Sequence, residues 1–122
     1  MAKNLKNLQV MRRKAYSIQL EQCYYCGQPM WETDQKGFCS KFNISLKASK
    51  FFKCTAEHLI AKQDSGKNSA DNIVAACLFC NRTRHLAKNP LNYNKYKTKV
   101  LTRMRLNKWH SSIFKNVNSE VI

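Results

Sequence analysis

Two cysteine pairs at the same spacing, Cys23-Tyr24-Tyr25-Cys26 and Cys77-Leu78-Phe79-Cys80, constrain this chain more than any other feature. Four thiolates close a tetrahedral shell around one zinc ion at about 2.3 Å each, and a shell filled by protein leaves no position for a substrate. An early and a middle segment must therefore meet around the ion, and the zinc expected from Cys23, Cys26, Cys77 and Cys80 is structural. An iron site and a redox dithiol are the competing chemistries for such thiols, although a redox motif needs only one pair. Gly27 and Pro29 force a turn just after the first pair, as in a zinc knuckle. Cys39 and Cys54 have no partner at ligand spacing and read as free thiols, Cys54 on a buried strand.

A chain of 122 residues fits one domain with a modest core, in which a metal staple contributes considerably. Its 22 Lys and Arg against 7 Asp and Glu leave a formal charge of +15, spread over both ends and the middle. That balance suits a polyanion binder, with nucleic acid as the expected partner. A ribosomal-type or merely basic protein explains the charge too; an anionic membrane explains it less well, because no lipidation motif accompanies it. The N-terminus lacks the apolar core and small-residue cleavage site of a secretory signal, and no apolar run is long enough to cross a bilayer. A cytoplasmic, intracellular location is expected, where C-x-x-C thiols stay reduced and favour metal. The Asn-x-Ser/Thr matches at Asn43 and Asn81 then read as chance.

Apolar residues at Leu5, Leu8, Met11, Ala15 and Ile18 recur at helical spacing, with Lys3, Lys6, Arg12, Arg13 and Lys14 mostly elsewhere, so residues 1–21 hold a basic amphipathic helix. Trp31 to Ser49 shows no clean period and reads as an irregular excursion with short strand character near Phe38 to Leu46. Phe51 to Ile60 reads as a strand, Phe52, Cys54 and Ala56 alternating against Lys53, Thr55 and Glu57. A polar loop with turn chemistry at Asp64, Ser65 and Gly66 leads to a return strand at Ile73 to Ala76. A helix then begins near Cys77 or Leu78 and stops before Pro90. Leu91 to Trp109 carries Tyr93, Tyr96, Val100 and Met104 at helical spacing among lysines and arginines, a second basic amphipathic helix within residues 90–114. The tail after Ile113 is expected to fray.

Asn81 and His85 lie one helical turn apart and share a face, so both can converge on an ion that the cysteines do not touch. Such a pair more often faces solvent. Glu57 directly before His58 at the end of a strand, and Asn72 between that strand and the helix, give the pair a context. The order Glu57-His58, Asn72, Asn81, His85, bracketed by the two cysteine pairs, resembles the HNH endonuclease family, in the branch whose nuclease motif rests on a four-cysteine zinc. The resemblance covers Cys23 to about Lys88 and leaves both terminal helices outside it.

The resemblance implies an α+β fold: a ββα-metal, treble-clef-like core at 22–89 on the structural zinc, flanked by the basic helices. It implies a DNA endonuclease in which His58 is the general base that activates water. Glu57, Asn81 and His85 would hold a catalytic divalent ion, magnesium, manganese or another. In the family the residue before the base is usually Asp or His, so Glu57 is a departure, whereas Asn at the place of Asn81 is used. Adjacent residues of an extended strand point to opposite faces, so a bend is expected to bring Glu57 and His58 to one cleft. Asn72 would tie the loop through its amide and keep His58 in register. Lys67, Arg82, Arg84 and Lys88 are the candidates for phosphate contacts, which position DNA without reading its sequence. Double-strand cutting by one site per chain would call for a homodimer joined through a terminal helix. The rival expectation is a zinc module that binds nucleic acid or a protein without cleaving anything.

Overall fold

The first helix, α1 (Ala2–Ile18), forms from a run with neither glycine nor proline. In this computed structural model residues 2–110 are described, with side chains from residue 7 onward. Ala15 and Tyr16 turn toward the core, and the Tyr16 hydroxyl donates to Met30 O at 3.2 Å. Just past the helix, Gln19 substitutes for a strand neighbour: its amide donates to Ala75 O at 2.8 Å and accepts from Ala75 N at 2.9 Å. Contact with the core passes at this end to Tyr16 and Gln19, so Ile18, expected on the apolar stripe, is exposed. Leu20 and Glu21 then take left-handed backbone angles, which turn the chain into the knuckle at Cys23. Gly27, at φ +74°, donates its N–H to Cys23 O and closes that turn.

The stretch expected to be irregular with strand character near Phe38 is instead two short helices, α2 (Gln35–Phe42) and α3 (Leu46–Ser49). Caps decide this. The Asp34 carboxylate accepts from Gly37 N, the Ser45 hydroxyl accepts from Ala48 N, and Asn43 ends α2 in the left-handed region. Phe38 and Phe42, one turn apart, pack with ring centroids 4.8 Å apart and planes tilted by 50°.

A 3₁₀ turn at Lys50–Phe52 shortens the expected first strand to β1 (Cys54–His58). It pairs antiparallel with β2 (Ile73–Cys77) in a register that sets Cys54 against Cys77, Glu57 against Val74 and His58 against Ile73. The connecting loop turns at Ser65, φ +69°, and at Gly66, where a Cβ would collide with the carbonyl oxygen of Ile60. Cys77 caps the helix that follows, α4 (Leu78–Leu86), its Sγ accepting from Cys80 N at 3.4 Å. The last helix, α5 (Tyr93–Arg105), starts on an Asn92 cap and stops short of the expected boundary, because Asn107 takes φ +57° and sends Trp109 and His110 back into the core. The expectations for the helix beyond residue 110 and for a frayed tail lie outside the described residues. The architecture is α+β, a two-stranded hairpin between α1 and α4. Its core joins the four paired cysteines to Tyr25, Met30, Tyr96, Val100 and Trp109.

Candidate functional site

Cys23 and Cys26 from the knuckle meet Cys77 at the end of β2 and Cys80 in the first turn of α4, with all four sulfurs within 4.8 Å of one another. A tetrahedral zinc with bonds of about 2.3 Å separates its sulfurs by about 3.8 Å, and Cys26 Sγ and Cys77 Sγ stand 4.0 Å apart. The thiol acidities are split. Hydrogen bonds from its neighbours, Cys23 first, hold Cys26 well below the usual thiol range, whereas burial pushes Cys80 well above it. A zinc dication fits this donor set, replacing the protons that the sulfurs otherwise share. Four N–H groups already point at sulfur: Tyr25 N and Cys77 N at Cys23, Cys80 N at Cys77, and the Trp109 indole Nε1 at Cys80, 3.2 Å away.

The face of β1 expected to be polar is covered by α4, so Glu57 is 1% exposed. Its two oxygens have different partners. Oε2 accepts from the Tyr25 hydroxyl at 2.8 Å and from Arg84 Nη1 at 3.0 Å, and Oε1 lies 2.9 Å from His85 Nε2. Two ligands on adjacent corners of an ion with bonds of about 2.1 Å also sit about 3 Å apart, so Glu57 Oε1 and His85 Nε2 could hold a divalent ion between them. Asn81, one turn earlier on α4, donates its Nδ2 to Thr55 Oγ1 at 3.0 Å and to Ala56 O at 3.2 Å. A carbonyl only accepts, so the contact with Ala56 identifies the nitrogen and leaves Oδ1 as the atom that an ion would take.

His58, on the alternate face of β1, is partly buried, and its Nε2 lies 2.7 Å from Asn68 Oδ1. In the tautomer that donates Nε2–H to that amide oxygen, Nδ1 carries the lone pair. Asn72 spans the base of the loop: its Oδ1 accepts from Ile60 N at 2.8 Å, and its Nδ2 donates to Ile60 O and Lys67 O. Lys67, Arg82 and Lys88 are exposed.

Arg84 requires a correction. Expected at a phosphate, it is 5% exposed and directs its donors inward: Nη1 to Glu57, the Tyr25 hydroxyl and His58 O, Nη2 to Leu59 O, Nε to Leu91 O. A guanidinium so engaged cannot reach DNA. Spacing on α4 places Arg84 beside His85 but cannot say which face β1 covers. Sequence reasoning also missed Tyr25, Asn68 and Trp109. Tyr25 carried one signal, its place inside a cysteine pair; Asn68 and Trp109 carried none, since each meets its partner only through the fold.

Fold and site together define a ββα hairpin-and-helix motif built on a four-cysteine metal centre. Residues 39–86 match the family model described as HNH endonuclease. The match spans both strands and α4 but begins after Cys23 and Cys26, so half of the four-cysteine cluster comes from outside it. No curated protein and no solved structure matches the chain. That match points to a nuclease or another nucleic-acid-related function. Among the described residues no helix is long and apolar enough to cross a membrane.

Proposed function

We propose that the protein is a metal-dependent HNH endonuclease that hydrolyses DNA phosphodiester bonds, with a divalent ion held by Glu57, Asn81 and His85. The observation that carries this reading is the meeting of Glu57 Oε1 and His85 Nε2 at 2.9 Å, and His58, next to Glu57 in the chain, has one ring nitrogen engaged by Asn68. The ion, when bound, supplies Lewis-acid stabilisation at the phosphate and at the leaving 3′ oxygen. His58 Nδ1 takes the proton of the attacking water, while Asn68 holds Nε2 and with it the ring. Asn72 ties the Lys67 and Ile60 backbones together and so keeps the loop that carries Asn68 against β1. Lys67, Arg82 and Lys88 supply exposed charge for phosphates.

The test incubates the zinc-loaded protein with plasmid DNA and a panel of divalent ions, beside His58→Ala and a chelator control. Cleavage by the wild type should fall at least about 100-fold in the variant, the low end of what a general base contributes; cleavage indifferent to the substitution would sink the mechanism. One observation favours a second reading. Arg84 already neutralises the Glu57 carboxylate from 3.0 Å, as suits a zinc module that binds nucleic acid without cutting it. That reading wins if wild type and variant bind DNA equally and neither cuts it under any ion.

A further inference from the structure

Glu57 is almost without solvent, yet one of its oxygens takes two donors and the other takes one. A carboxylate offers about four acceptor positions. Tyr25 and Arg84 use both of those on Oε2, whereas His85 uses one on Oε1, on the side where α4 meets solvent; the His85 side chain is 33% exposed. We infer that Tyr25 and Arg84 are positioning residues that clamp Oε2 and so present Oε1 alone to the ion, making the zinc knuckle the anchor of the candidate catalytic carboxylate. The inference rests on the reading of Glu57 as a ligand.

Neither half of the clamp can turn freely. Tyr25 lies between Cys23 and Cys26 and is fully buried. Its N–H points at Cys23 Sγ, and its ring packs edge-on against Tyr96 at 4.8 Å. Tyr96 in turn donates to Cys80 O at 2.6 Å, so the phenol is framed by both cysteine pairs. The Tyr25 oxygen also accepts from Arg84 Nη1 at 3.1 Å, so phenol and guanidinium brace each other as well as the carboxylate. Arg84 holds the strand end from the other side, through the carbonyls of His58 and Leu59 at 3.1 and 3.0 Å. One guanidinium thereby fixes the Glu57 side chain and the backbone of the adjacent candidate base.

The length of Glu57 follows from the same geometry. Shortening the side chain by one methylene withdraws the carboxylate by about 1.5 Å, one C–C bond. From 2.8 and 3.0 Å, the contacts with Tyr25 and Arg84 would pass hydrogen-bond range.

The test measures Mn²⁺ binding to the zinc-loaded full chain without DNA, by the electron paramagnetic resonance signal of free Mn²⁺, with zinc content and circular dichroism recorded on each sample. Glu57→Ala should abolish the site. Tyr25→Phe should weaken it about 10- to 100-fold, the usual cost of losing an outer-shell partner, with one zinc per chain and an unchanged spectrum. If Glu57→Ala abolishes binding while Tyr25→Phe binds like wild type, the clamp is wrong and the ligand reading stands. If Glu57→Ala binds like wild type, or wild type takes up no Mn²⁺, the ligand reading fails and takes the clamp with it. Should Tyr25→Phe lose its zinc, Arg84→Lys decides: it keeps the charge without the fork and should show the same weakening, and wild-type affinity there would overturn the inference.

Discussion

Replacing Arg84 by methionine removes a cation whose side chain is 4% exposed from a carboxylate that is 1% exposed, the two being 3.0 Å apart. The attraction is not the quantity at stake, because desolvation offsets much of it. What matters is the carboxylate left behind, with Tyr25 and His85 beside it and, among the described residues, no other cation of comparable proximity and burial. Breaking a buried pair from one side costs about 3–5 kcal/mol. Set against a total of about 5–15 kcal/mol for a domain, that loss is a fifth or more of the stability. At about 4 °C per kcal/mol for a chain of this size, the melting temperature should fall by more than about 10 °C. Urea unfolding followed by circular dichroism, at one fixed zinc concentration because bound metal shifts apparent stability, gives the free energy directly. Arg82→Met is the control: it lies two residues earlier on α4, is exposed, and should stay within about 0.5 kcal/mol of wild type. Glu57→Gln/Arg84→Met, which removes the charge along with its partner, should recover a large part of the loss, and the double-mutant cycle reads the coupling. A loss under about 1 kcal/mol for Arg84→Met, similar to that of Arg82→Met, would refute the buried ion pair, since only solvated arginines are that dispensable.

The metal centre and the thiols make three further expectations. Cys77→Ser should lose the tightly held zinc whereas His85→Ala keeps it, by elemental analysis after dialysis; loss in both variants would mean that the two sites are one. Trp109→Phe keeps the ring that packs on Phe79 and Tyr96 but removes the indole N–H from Cys80 Sγ. Its zinc affinity, read against a competing chelator, should drop about 10-fold or more, and an unchanged affinity would show that the 3.2 Å contact contributes nothing to retention. Burial, aided by the Glu32 charge, pushes the Cys54 thiol up to about 12. Maleimide at pH 8 should therefore label the zinc-loaded protein at Cys39, which is only partly buried, and leave Cys54 untouched, with Cys54 remaining the protonated, unreactive thiol until the pH nears that value. Two labels per folded chain at pH 8, counted by mass, would contradict this.

Several elements were legible because their causes are local. Helical spacing from Leu8 to Ala15 and from Tyr93 to Met104 announces α1 and α5, and the Gly66 turn between two apolar runs announces the hairpin. The helices at 35–49 were missed although their causes are local too: Asp34 and Ser45 each stand three residues before the N–H they cap, and those spacings outweigh the β-forming residues around Phe38 and Ile44. Asn107 likewise ends α5 early by a single left-handed residue, which hydrophobic periodicity through Trp109 cannot register.

Chemistry written in short spacings was determined by the sequence alone. The two C-x-x-C pairs demand one metal between distant segments, and Asn81 with His85 must share a face because a helix repeats every 3.6 residues. Which groups stand beside that face was decided only by tertiary structure. Packing α4 on β1 buries Glu57, draws Arg84 inward from the surface that its charge favours, and brings Tyr25 of the knuckle to the same carboxylate. Burial is a property of neighbours distant in the chain, and a carboxylate without water must find donors wherever the fold supplies them.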